Sequence, residues 1–154
     1  MVQIRPKTVI AGKVAGDCPS HALTHVKVRD VGMDIDEPVE RGGTNTGPSP
    51  TETAIAALVG CTNVIGHKCA KKLDVDIGHL HITADYEFDR RGVTLAEEID
   101  VPFRRVKLTV ESDGAASDED LARVAQEVAK FCPLSKLFRQ AGAQIEETWR
   151  RRQG

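Results

Sequence analysis

The sequence has no apolar stretch approaching the roughly 18 residues that a membrane span needs, so no transmembrane segment is expected. It lacks a charge excess as well. The net charge of -2, with no clustered basic surface, leaves no electrostatic footprint for nucleic acid. The one basic run, Arg150-Arg151-Arg152, is short and reads as a solvated tail. The start, Met1-Val2-Gln3-Ile4-Arg5, has no apolar core of a secretory signal, and a cytoplasmic address follows by default. Repeats, low-complexity tracts and linkers are also missing. The 154 residues are therefore expected to form one domain, large enough to bury a core without disulfide staples. Cysteine is sparse at four residues; in a reducing compartment these are buried fillers or reactive thiols, not structural bridges.

What is present is a clear sequence of periodicities. Val26 and Val28 alternate with His25, Lys27 and Arg29 as in a half-buried strand; Gly32 then reads as a turn before Met33 and Ile35. The segment from Arg41 to Pro50, rich in Gly, Thr and Pro, reads as a loop. Its end carries a helix start: Ser49 as N-cap, Pro50 at the first helical position, and Glu52 three residues after Ser49. Ala54, Ala57, Leu58, Cys61, Val64, Ile65 and Cys69 follow at helical spacing, while Ile55, Ala56 and Val59 fill other faces. A helix apolar nearly all round is expected to be buried and central. Its period breaks near Leu73-Asp74.

Two-residue alternation takes over from Val75, with Leu80, Ile82, Ala84, Tyr86 and Phe88 on one face. Arg90-Arg91-Gly92 reads as a turn. In the next strand Ile99, Val101 and Phe103 share a face; the parity then flips to Val106, Leu108 and Val110, which implies a bulge between Pro102 and Arg105. Ser117 and Asp120 open a second helix with Leu121, Val124, Ala125 and Val128 as its apolar stripe. It stops at Phe131-Cys132-Pro133. A third helix, Leu134 to Ala141, ends at Gly142, and Ala143 to Arg150 reads as a closing strand. The order predicts an α+β domain.

Among the cysteines, Cys132 is set apart by the proline after it. Pro133 at a first helical position makes Cys132 an N-cap, where unpaired amides and the helix dipole favour a thiolate. The plain alternative is a cap that happens to be cysteine. Cys61 lies on the apolar side of the long helix, where a free cysteine is ordinarily a small buried hydrophobe. Cys69, eight residues on, has no activating neighbour and reads as packing.

Two stretches then point to a family. Gly47-Pro48-Ser49-Pro50-Thr51-Glu52 followed by Ala56-Ala57-Leu58-Val59-Gly60-Cys61 resembles the central-helix motif of the OsmC/Ohr proteins. Phe131-Cys132-Pro133-Leu134-Ser135-Lys136 resembles their second-cysteine motif, and the separation, 132 − 61 = 71 residues, suits the family spacing. The resemblance covers about residues 24 to 150. It implies an OsmC-like fold, with antiparallel sheets around a long buried central helix, in an intertwined homodimer with two active sites at the subunit interface. It further implies a thiol peroxidase. Cys61 attacks an organic hydroperoxide and becomes a sulfenic acid, Cys132 condenses with it, and an external dithiol reduces the disulfide, with no bound cofactor.

The family's helpers are an arginine and a glutamate. Glu52 falls in the carboxylate region of the motif, although many members carry the glutamate at the preceding position, here Thr51; Glu52 is also explained as half of a capping box. Arg41, twenty residues before Cys61, is the leading arginine, with Arg29, Arg104 and Arg105 as competitors. Cys18, His21 and His25 have a clip-like spacing, but no partner motif completes a metal site. His79 and His81 share a strand face with Thr83, Asp85 and Glu87 and read as wet surface; His67 sits on the outer side of the helix. A second function class stays open: an OsmC-like protein that binds a small molecule in an interface pocket and uses its thiols for sensing or not at all.

Overall fold

The computed structural model describes residues 8–154; Met1-Val2-Gln3-Ile4-Arg5, read above for a secretory segment, lies outside the described residues. The elements are β1 (Ala15–Asp17), β2 (Thr24–Val28), β3 (Val31–Ile35), a single 3-10 turn (Val39–Arg41) and α1 (Pro50–Leu73). They continue with β4 (Leu80–Phe88), β5 (Phe103–Ser112), α2 (Asp118–Phe131), α3 (Pro133–Gln140) and β6 (Gln144–Arg151). The chain divides into two compact units inside α1, one ending at Ala54 and the other running Ile55–Gly154.

The first unit holds the antiparallel sheet β1-β2-β3. Val28 pairs with Val31, which makes Arg29-Asp30 the hairpin turn, with Arg29 in the left-handed region at φ 56. Gly32 is therefore not the turn that its residue type implies. It sits within β3 opposite Lys27, where a Cβ would come to 2.9 Å from the Val26 carbonyl oxygen.

After β3 the chain folds around one carboxylate. Asp36, fully buried, accepts hydrogen bonds from the amides of Glu37 (2.8 Å), Thr44 (2.9 Å) and Thr46 (3.1 Å). The hydroxyls of Thr44 and Thr46 add two more, at 2.6 and 2.9 Å. These donors hold the carboxyl well below the usual carboxylate range, the Thr44 hydroxyl most of all. Gly43 rides directly on the Glu37 carbonyl, where an added Cβ would overlap the backbone. Asp36→Asn puts an NH2 donor among donors. We expect a thermal midpoint lower by about 5 °C or more near neutral pH, read by circular dichroism. Stability from a depressed carboxyl is present above its ordinary value and lost as pH falls toward the folded one, so the gap should close on acidification.

The second unit holds β4-β5-β6. β4 and β5 are antiparallel, but β6 pairs parallel with β5, so this sheet is mixed and not the antiparallel one that the resemblance implies. The connection from β5 to β6 runs through α2 and α3, a crossover long enough to bring the chain back in the same direction. Glu87 pairs with Arg105 and Phe88 with Phe103, leaving Arg104 unpaired: this is the bulge implied by the parity flip. Ile99 and Val101 precede β5 and are not part of it. Val106, Leu108 and Val110 of β5 are buried together with Leu121, Val124 and Val128 of α2 and Ile145 and Trp149 of β6.

Within this unit α1 buries one stripe, Ile55, Leu58, Thr62, Gly66, Cys69 and Ala70. It is not buried all round, contrary to its apolar composition: Ala56, Ala57, Gly60 and Val64 are exposed, Val64 by 51%. A single chain covers only the side of the helix that meets its own sheet and helices. Gly66 is needed for that approach, because a Cβ there would lie 2.8 Å from the Trp149 ring. Among the described residues no helix is long and apolar enough to cross a membrane.

Candidate active site

Cys132 is the junction between two helices. Its amide donates to the Val128 carbonyl at 2.8 Å and closes α2, while its sulfur accepts from the Ser135 amide at 3.4 Å and caps α3. Pro133 at the first helical position makes this work, since it has no amide to leave unpaired and its φ suits the helix. The N-cap expected at Cys132 is therefore present.

The charge expected there is not. An N-cap alone favours the thiolate, yet the Cys132 thiol, with none of its surface exposed, is pushed up to about 11. Burial is the largest cause. The Ser135 amide pulls the other way, the Cys61 thiol adds to the rise, and the Leu134 amide opposes it. Desolvation outweighs two amides because they supply partial charges, whereas burial removes the whole hydration shell of the anion.

The same balance places the two thiols near one another. Cys61, half-buried on α1, lies near enough to Cys132 to add to the rise of its thiol, and both are free cysteines. Cysteines 71 positions apart are thus brought near one another within the second unit. The raised thiol has a consequence with a definite sign. Above the ordinary value of 9.0 the unfolded chain loses the Cys132 proton while the folded chain keeps it, so stability falls as pH climbs from about 9 toward about 11. Attack by Cys132 on another sulfur should accelerate over the same range, by about tenfold per pH unit below its pKa. Stopped-flow tryptophan fluorescence or quenched alkylation reads this rate.

Glu52 and Arg41 belong to the first unit. Glu52 completes the capping box: the Ser49 amide donates to its Oε2 at 2.8 Å, and its own amide donates to Ser49 Oγ at 3.4 Å. The Ser49 hydrogen bonds hold the Glu52 carboxyl below its ordinary value, with the Arg41 charge adding to them. Arg41 donates through Nε to Glu37 Oε2 at 2.6 Å, and its side chain is 56% exposed. Glu52→Ala removes the cap and should lower stability by about 1 kcal/mol, whereas Glu52→Gln keeps the acceptor and should stay within about 0.5 kcal/mol; urea titration measures both.

The competing arginines are otherwise engaged. Arg29 forms the β2–β3 turn, Arg104 pairs with Asp89 at 2.5 Å, and Arg105 pairs with Glu146 at 2.7 Å. Cys18 lies 3.6 Å from the Thr24 hydroxyl, and His25 Nδ1 is 2.7 Å from Asp34 Oδ1. Among the described residues no group of three His, Cys, Asp or Glu side chains is placed to hold a metal ion. His79 pairs with Asp113 at 3.3 Å on the surface, and both ring nitrogens of His67 face carbonyls, of Asn63 and Gly78. Cys69 is buried and its thiol is pushed up chiefly by that burial, as a packing cysteine should be.

Two residues of the cysteine neighbourhood escaped the sequence reading, Arg139 and Glu147, and Ser135 entered it only as part of the second-cysteine motif. Arg139 donates through Nε to Ser135 Oγ at 3.2 Å and approaches Glu147 at 3.9 Å. A signal for Glu147 was available, since it occupies the inward parity of β6 between Ile145 and Trp149.

Residues 43–148 match the family model described as OsmC-like protein, which is more than half of the chain. The chain belongs to the OsmC-like protein family. Solved structures agree on the fold. The OsmC-like protein from Mycoplasma pneumoniae superposes with a TM-score of 0.74 at 14% identity, covering 93% of this chain and 96% of that one. An organic hydroperoxide resistance protein OsmC from Legionella pneumophila, also described as a predicted redox protein, gives 0.68 at 18% identity over 93% and 98%. The organic hydroperoxide resistance protein OhrB of Bacillus subtilis gives 0.64 at 19% identity over 92% and 98%. No curated protein sequence matches this chain. The likeness to the OsmC family thus carries the α+β fold of two small sheets and three helices.

Proposed function

We propose that this OsmC-family chain is a thiol-dependent peroxidase that reduces organic hydroperoxides through Cys61 and Cys132. The observation that carries the reading is the nearness of two free thiols, one half-buried on the long helix and one capping a helix. In the first step the Cys61 thiolate attacks the terminal peroxide oxygen, the O–O bond breaks, and the alkoxide leaves as an alcohol after taking a proton. Cys132, kept protonated by burial, does not compete for peroxide. In the second step its sulfur bonds to the Cys61 sulfenic acid and water leaves. An external dithiol then reduces the disulfide.

Within this reading Arg41 and Glu52 assist Cys61, and the chain works as a cytoplasmic homodimer. The exposed face of α1 formed by Ala56, Ala57, Gly60 and Val64 supports the dimer, being apolar and small enough for a second copy to approach closely. The relatives named for organic hydroperoxide resistance support the substrate class.

The test is consumption of cumene hydroperoxide by the purified protein with dihydrolipoamide and with glutathione as alternative reductants. Turnover with the dithiol, and a Cys61–Cys132 disulfide after one equivalent of peroxide, is expected. Absence of both overturns the reading. A second reading, binding of a small molecule without peroxide chemistry, is favoured by one observation: Arg41 is paired with Glu37, and Glu52 is occupied by its cap.

A further inference from the structure

Glu147 is an expensive residue to keep where it is. Its side chain is 8% exposed on the inward face of β6, and its Oε1 has no hydrogen-bond partner among the described residues. Burial pushes its carboxyl up, with Trp149 and Arg139 only partly opposing. An apolar residue would fill that position, between buried Ile145 and Trp149, without desolvating a carboxyl.

Its neighbours show what the position is for. The Trp149 indole donates to Glu147 Oε2 at 3.3 Å, and Arg139 Nη2 lies 3.9 Å from Oε1. From Arg139 the contacts run on: Nε donates to Ser135 Oγ at 3.2 Å, and the Ser135 amide donates to Cys132 Sγ at 3.4 Å. At the other end the Trp149 ring rests on Gly66, which lies on α1 five residues after Cys61. A series of neighbours therefore joins the helix of one cysteine to the cap of the other, with the 3.9 Å ion pair as its loosest step: α1, Trp149, Glu147, Arg139, Ser135, Cys132. All of it lies in the second unit.

We propose that Arg139 and Glu147 are positioning residues for thiol chemistry at Cys132, holding the first turn of α3 so that its sulfur faces Cys61. The proposal rests on the peroxidase reading for its purpose but not for its test. In the step they serve, the Cys132 S–H bond breaks and its sulfur bonds to that of Cys61. The Cys61 S–O bond breaks, and the departing hydroxide takes up the thiol proton as water. Cys132 is oxidised and the sulfenic sulfur reduced in equal measure. Condensation needs the two sulfurs aligned, and a serine hydroxyl hydrogen-bonded to a guanidinium that itself faces a carboxylate is held more stiffly than a free one.

The experiment measures how readily the pair closes without any peroxide. The full chain is equilibrated with reduced and oxidised glutathione, and the Cys61–Cys132 disulfide is quantified by peptide mapping. Arg139→Met and Glu147→Val should each lower the effective concentration of the pair by about tenfold, or about 30 mV. Glu147→Gln keeps one acceptor oxygen, for Arg139 or for Trp149 but not for both, and should fall between the parent and Glu147→Val. Because the contacts act in series, the double variant should be no worse than about either single one. Unchanged equilibria in Arg139→Met and Glu147→Val would overturn the proposal, as would a Glu147→Gln protein no better than Glu147→Val. Should those variants fail to fold, Ser135→Ala decides: a drop of about threefold supports the series, and none sinks it. A chain that closes the disulfide with glutathione but ignores hydroperoxide sinks only the peroxidase reading. A chain that never forms it sinks both.

Discussion

Cys61→Ser is expected to lower dithiol-dependent hydroperoxide consumption by about a thousandfold or more, to the background of the reductant alone. The reasoning is chemical before it is structural. A serine hydroxyl at neutral pH is a far weaker nucleophile than a thiolate, and among the described residues the other thiols of the second unit make poor substitutes: Cys132 carries its proton up to about 11, and Cys69 is buried with a raised thiol. The substitution is nearly isosteric and Cys61 is only half-buried, so the fold should survive it. Coupled turnover and single-turnover mass spectrometry check the outcome. Residual activity above about a tenth of the parent's would move the site away from Cys61.

Cys132→Ser should behave differently. Serine is itself a preferred N-cap, and the introduced hydroxyl would accept from the Ser135 amide as sulfur does now, so α3 should start where it starts in the parent. The first reaction with one equivalent of cumene hydroperoxide should proceed at a rate within about twofold of the parent. What is lost is resolution. The Cys61 sulfenic acid has no neighbouring thiol to condense with, stays trappable by dimedone, and moves on to sulfinic and sulfonic acid with further peroxide. After several equivalents most of the variant should be inactive and carry two or three added oxygens on Cys61. Equal endurance of variant and parent would show that Cys132 does not resolve. The loss is distinct from that of Cys61→Ser, and the two variants together separate attack from resolution.

How far the site could be read in advance varies residue by residue. Ser49, Pro50 and Glu52 announce α1 because capping is a matter of residues within one turn, and the hydrogen bonds are those the motif requires. Cys132 and Pro133 announce α3 for the same reason. The parity flip after Phe103 announces the bulge at Arg104, since a period of two records every extra residue. Gly32 misled, because glycine marks either a turn or a close backbone approach, and only the pairing with Lys27 shows which. The thiolate expected at Cys132 misled more instructively. The cap lies in the local sequence, but the burial that overrides it comes from residues far along the chain.

The order of elements, the helix ends, the bulge and the cysteine spacing were properties of the chain alone, because each depends on backbone geometry within a few residues. Tertiary structure decided the rest: that β6 lies parallel to β5, that only one stripe of α1 is covered by its own chain, and that Cys61 and Cys132 lie near one another. It also decided that a guanidinium and a buried carboxyl stand behind the Cys132 thiol, and that this thiol keeps its proton. Pairing direction, desolvation and the meeting of distant side chains depend on packing between segments, and no local pattern encodes them.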